Sequence, residues 1–113
     1  MKHIKAVIRP EKLNDIREAL NEAGCSGGIM ISEIMGHGNQ KGIIQAWRGE
    51  KYQVDLLPKV MIDLVVKDKD LETVKKIIIE NARENEIGDG KIFVYNVESV
   101  TRIRTGEEDD DAI

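Results

Sequence analysis

Three short stretches carry residues able to grip an anion: GHGNQKG at 36–42, IGDGK at 87–91 and RIR at 102–104. In the second, Gly88 and Gly90 let the backbone turn so that successive N–H groups point into one concavity, and Lys91 adds a charge beside them. In the third, Arg102 and Arg104 stand two apart, so an extended strand projects both to one side, where guanidinium forks suit a polyphosphate. Each has a plain alternative. GDGK is also an ordinary turn into a strand, and Arg-x-Arg is also a solvated strand edge. Lys59 is a fourth candidate, because it follows Pro58 at the foot of a long loop where both loop ends converge with Gln40. A lysine and an amide there could hold a small carboxylate, or the amide oxygen could join phosphates around Mg²⁺.

Catalysis is poorly served by this inventory. There is no Walker A sequence and no GxGxxG, and the acidic residues fall mainly on helix surfaces and in the ending GEEDDDAI. His37 has no Ser, Cys or fixed carboxylate placed to partner it and reads as a surface residue, while Cys25 reads as an inert small residue in a turn. Binding without turnover is the expectation. A ferredoxin-like enzyme using MgATP in phosphoryl transfer is the alternative, and an oligomer whose loop docks a partner without any ligand is the third reading.

The elements that must position these groups follow from periodicity. Residues 1–9 alternate, with Ile4, Ala6 and Ile8 on one face, and predict a strand. Pro10 suits a first helical turn, and Leu13, Ile16, Leu20 and Ala23 form an apolar stripe that stops at Gly24. Residues 29–35 predict a second strand and 60–66 a third, with the even positions of the third facing the core. Asp68 or Asp70 is placed to cap a second helix with Leu71, Val74, Ile78 and Ala82 as its stripe. Residues 92–97 predict a fourth strand, 100–105 a short extended piece, and about 106–113 a mobile acidic tail.

Two βαβ halves of about fifty residues with right-handed crossovers pack both helices on one face of a four-stranded antiparallel sheet, the ferredoxin-like α+β arrangement. The other face would carry Val7, Val65, Phe93, Tyr95 and Val97, so either copies of the chain pack sheet against sheet or the C-terminal segment folds over it. Between the second and third strands lie about twenty residues, far more than a hairpin needs, which marks them as the working part. Their glycines, cations, Trp47 and Tyr52 suit an arm that meets an anion at its base and a partner at its tip.

The 113 residues make one expected domain, 1–113, and the net charge of −4 gives the whole molecule no electrostatic reason to seek nucleic acid or an anionic membrane. With a single cysteine, no apolar signal-peptide core and no run of about twenty apolar residues, a cytoplasmic location is expected.

IKAVIRPEKL, GxGxQKG followed by RGxxYxVDLLPKV, IGDGKIFV and VxRIRTGEEDDDAI together resemble the PII nitrogen-regulatory signal-transduction proteins over essentially the whole chain. The resemblance implies a homotrimer in which ATP and ADP compete for clefts between subunits, and 2-oxoglutarate joins MgATP at the base of the long T-loop, here about 37–58. It implies nucleotide contacts from Gly36, Gly38, Gln40, Gly88, Asp89, Gly90, Lys91, Arg102 and Arg104, with Gln40 also at the Mg²⁺. For 2-oxoglutarate it implies Gln40, Lys41, Gly42 and Lys59. Tyr52 matches a tyrosine that is uridylylated in some bacterial members, and Arg48 matches an arginine that enters an ammonium-channel pore. The implied target is an ammonium transporter or a nitrogen-assimilation enzyme. Asn39 stands where Arg is common, Trp47 where Tyr is, and His37 where Phe or Arg is, and the turn 25–28 is one residue longer.

Overall fold

The computed structural model describes residues 1–37, 44–47, 50–53 and 56–113, with the strands at 44–47 and 50–53 described in backbone only. Its main sheet has four strands in the order β2-β5-β1-β6, every neighbouring pair antiparallel: β1 Lys2–Ile8, β2 Met30–Gly36, β5 Leu57–Val66 and β6 Lys91–Asn96. Helices α1 Leu13–Glu22 and α2 Leu71–Ala82 complete the α+β arrangement expected above.

The core follows the period of two. Ile4 pairs with Leu64, Ala6 with Ile62 and Ile8 with Val60, and these residues are buried with Ile16 and Leu20 of α1 and Val74, Ile78 and Ala82 of α2. Pro10 opens a 3-10 turn, Pro10–Lys12, before α1 begins. Gly24 ends that helix at φ +73°, a left-handed conformation that glycine adopts without a Cβ clash. Of the expected stripes, Leu13, Ala23 and Leu71 stay outside the fully buried set.

Four expectations need correction. The third main strand starts at Leu57, so Pro58 lies inside it; only β2 pairs there, because β1 reaches β5 no further than Val60, and a proline is tolerated where one side of the strand is free. No side-chain hydrogen bond caps α2: Asp70 has helical backbone angles, and Asp68 accepts instead from the Met1 ammonium at 2.7 Å. The long loop carries its own two-stranded ribbon, β3 Ile44–Trp47 against β4 Glu50–Gln53, with Trp47 opposite Glu50. Finally, 100–109 is a closed hairpin rather than an extended piece with a loose tail: Thr101 bridges Glu108, Asp109 N–H donates to Val100 O at 2.7 Å, and a 3-10 turn follows at Asp109–Ala112.

Because that hairpin closes on itself, it leaves the second sheet face open. Phe93 and Tyr95 are 43% and 48% exposed, with His3, Lys5 and Val7 on the same face of β1. His3 Nε2 and Asp63 Oδ1 lie 2.7 Å apart across it.

Candidate functional site

Lys59, the GDGK turn and the first residues of GHGNQKG meet where this open face ends. Gly36, the last residue of β2, pairs with Leu57, so the loop's two ends leave the sheet side by side. Two residues further along β5, Lys59 stands opposite Ile34 and on the same face as Met61 and Asp63. Its Nζ donates to Gly88 O at 2.9 Å, which ties the foot of the loop to the GDGK turn. Its stem passes Gly36 closely: a Cβ there would sit 3.3 Å from Lys59 Cγ. Burial, and then the nearby Arg9 guanidinium, lower the pKa of Lys59, while Glu11 and Asp89 oppose the shift.

The turn is built from behind. Asp89 Oδ2 accepts from the N–H groups of Glu84, Asn85 and Glu86 at 2.9, 2.9 and 3.3 Å, and the first of these bonds is the largest cause of its lowered pKa. Arg9 Nη2 donates to Ile87 O at 3.0 Å and lies 3.4 Å from Asp89 Oδ1. Its Nε stands 3.3 Å from Glu84 Oε2 without the alignment of a hydrogen bond. Lys12 Nζ approaches Glu84 Oε1 at 3.1 Å. Gly88 and Gly90 take φ of +102° and +106°, and Gly90 has no alternative, since a Cβ would fall 1.7 Å from Val7 O.

Between the loop foot and this turn opens a cleft of about 660 Å³, walled by Gly36, His37, Lys59, Gly88, Lys91 and Phe93 among others. Six of the expected residues therefore come together: Gly36, Lys59, Gly88, Asp89, Gly90 and Lys91. Asp89 lines the cleft, with its Oδ2 turned to the N–H groups of its own loop. Gly38, Gln40, Lys41, Gly42 and Arg48 lie outside the described residues, and Tyr52 is seen only as backbone in β4, opposite Gln45.

Arg102 and Arg104 do not line the cleft. They also do not share one side of a strand, because residues 103–105 form the turn of the hairpin. Arg102 Nη1 binds Glu107 Oε1 at 2.8 Å, and Gly106, at φ +75°, returns its N–H to Arg102 O at 2.7 Å.

Two participants escape a reading by motif. Arg9 lies about eighty residues from the turn it holds, and the signal for it is its position at the end of a strand just before Pro10. His37 lines the cleft as well as being exposed. Among the described residues, no group of three His, Cys, Asp or Glu side chains could hold a metal ion by itself, and no helix is long and apolar enough to cross a membrane.

A family model described as nitrogen regulatory protein P-II matches residues 1–107. The chain is similar to nitrogen regulatory protein P-II 1 of Escherichia coli (strain K12), 53% identical over 113 residues and 100% of both chains. It is 52% identical to nitrogen regulatory protein P-II of Haemophilus influenzae over the same full coverage. It is 49% identical to nitrogen regulatory protein P-II 2 of Methanothermobacter thermautotrophicus, over 100% of this chain and 97% of that one.

Proposed function

Since the chain belongs to the nitrogen regulatory protein P-II family, we propose that it is a cytoplasmic homotrimeric sensor that binds ATP or ADP and 2-oxoglutarate and controls a target protein through its long loop. The target class is an ammonium transporter or a nitrogen-assimilation enzyme. The observation that carries this reading is the bond from Lys59 Nζ to Gly88 O, which links the foot of the loop to the phosphate-type turn across one cleft.

In this reading the GDGK turn offers N–H groups and Lys91 to phosphates, with Arg102 and Arg104 delivered from a neighbouring copy's hairpin. Mg²⁺, when bound with the nucleotide, neutralises phosphate charge, and Gln40 is its proposed protein contact. A 2-oxoglutarate carboxylate competes with Gly88 O for the Lys59 ammonium, and so changes how the strand leading from the loop is held. A ligand shifts the arm only by its differential affinity for two arm states, so tenfold release of a partner needs about 1.4 kcal/mol of coupling. The role we assign is binding rather than turnover: of the carboxylates at the turn, Asp89 and Glu84 are engaged by backbone N–H groups and by Arg9 and Lys12, and Glu86 lines the cleft exposed.

Calorimetric titration with MgATP, with and without 2-oxoglutarate, tests the proposal. We expect 2-oxoglutarate to bind only in the presence of MgATP, and Lys59→Ala to keep MgATP binding while losing at least tenfold in 2-oxoglutarate affinity. Unchanged 2-oxoglutarate affinity in that variant would refute the role given to Lys59.

A further inference from the structure

We propose that the groove between α2 and the free edge of β6 seats the acidic segment 107–113 of a neighbouring copy, an assignment that rests on the three-copy reading above. The groove exists because the helix layer leaves part of the inner face of β6 uncovered. Ile92 and Val94 pair with Ala6 and Ile4 and so point to the helix side, yet Val94 is 40% exposed. Beside them opens a hollow of about 380 Å³, floored by Ile8, Ile78, Ile79 and Ile92. Among the described residues none after Ile92 lines it, so the chain's own ending lies elsewhere.

The rim of the groove is cationic. Lys75 of α2, Arg83 just after that helix and Lys91 at the start of β6 line it with Asp89, whose carboxylate is engaged by backbone N–H groups and Arg9. Among the described residues Arg83 and Lys91 have no acidic partner, and Lys75 has only Glu72 at 3.7 Å. The segment EEDDDAI has the opposite make-up. Glu107 binds its own Arg102, but the carboxylates of Glu108, Asp110 and Asp111 have no cationic partner among the described residues, and the aliphatic Ala112 and Ile113 follow them. Acids on the cationic rim and Ile113 on the aliphatic floor satisfy both chains at once. Position favours the same fit. The groove and the cleft share Val7, Asp89, Gly90 and Lys91, so they open on two sides of one turn. A hairpin that brings Arg104 to the cleft carries Glu107 three residues on, at most about 10 Å away, which is within reach of the rim.

The test is cross-linking of the full chain carrying Cys25→Ser, Ile79→Cys and Ile113→Cys with a short bismaleimide. The control replaces Ile79→Cys with Thr73→Cys, at an exposed position of α2 outside the groove. The groove pair should give covalent dimers and trimers on a denaturing gel about tenfold faster than the control. Adding Arg83→Glu should slow the reaction about two- to fivefold, and adding Asp110→Arg and Asp111→Arg to that protein should restore it. Cross-linking no faster than the control, or confined to one chain, overturns the inference, as does a charge reversal that the tail arginines fail to restore. If sedimentation velocity still shows a three-copy particle, either result leaves the assembly reading standing. A wild type that sediments as a monomer removes both.

Discussion

At the scale of single residues, the 84–90 turn is held by contacts that leave little choice of side chain. Gly90→Ala sets a Cβ against Val7 O and imposes a positive φ on a residue with a side chain. We expect it to cost about 3 kcal/mol or more, read as a fall in the urea midpoint, and to abolish nucleotide binding in whatever protein still folds. Asp89 makes the same turn sensitive to acid. Its folded pKa is depressed, so its contribution is complete above the unfolded carboxylate value and is lost as pH falls through the folded one. The wild type should therefore lose thermal stability below about pH 4 by a component that Asp89→Asn lacks, the variant being less stable at neutral pH but flatter in acid. Lys59 works in the opposite sense. Burial disfavours its ammonium, so an anion placed beside it should raise its pKa again and draw protons from alkaline buffer on binding, an uptake absent from Lys59→Ala.

Among the elements, β2 and β5 matter most, because the pairing of Gly36 with Leu57 closes the base of the loop independently of what the loop contains. Replacing 38–55 with an Asn-Gly turn should leave a folded sheet whose melting temperature stays within about 5 °C of the wild type, since among the described residues the main sheet and the two helices supply the buried core. The same variant should lose every loop-dependent interaction with a target. These elements were legible from alternation and helical stripes: the core face of β1 and β5 and the buried positions of α2 follow directly from spacing. The Lys59 and GDGK halves of the site were legible as well, because a lysine after Pro58 and two glycines around Asp89 are local signals. What local patterns could not reveal is pairing at a distance. Arg9 bonding to Ile87 O, Lys59 to Gly88 O, and the Thr101–Glu108 bridge that turns two arginines onto a hairpin all depend on where the fold brings separated residues. Asp68 is a similar case, read as a helix cap but holding the Met1 ammonium.

For the whole molecule, the decisive feature is the uncovered sheet face. A single layer of helices buries one side of the sheet, and the closed 100–109 hairpin does not reach Phe93 or Tyr95 on the other. The tip of that hairpin is apolar too, with Ile103 99% exposed. The proposed trimer resolves both features at once, packing sheet faces inward and placing each hairpin, with Arg102 and Arg104, beside a neighbour's cleft. This predicts that assembly and nucleotide binding fail together. Val65 is the residue to test, since it lies on that face near the end of β5, opposite His3 and two residues from Asp63, away from the cleft. Val65→Asp leaves the buried core untouched but would place an unpaired carboxylate in each copy of a closed interface, where an unpaired charge costs several kcal/mol. Sedimentation velocity should show a three-copy particle for the wild type and a folded monomer for Val65→Asp, and the monomer should bind MgATP at least tenfold more weakly although every residue of its own cleft is intact. A monomeric variant with wild-type affinity would mean that the cleft is complete within one chain and that the hairpin arginines serve some other contact.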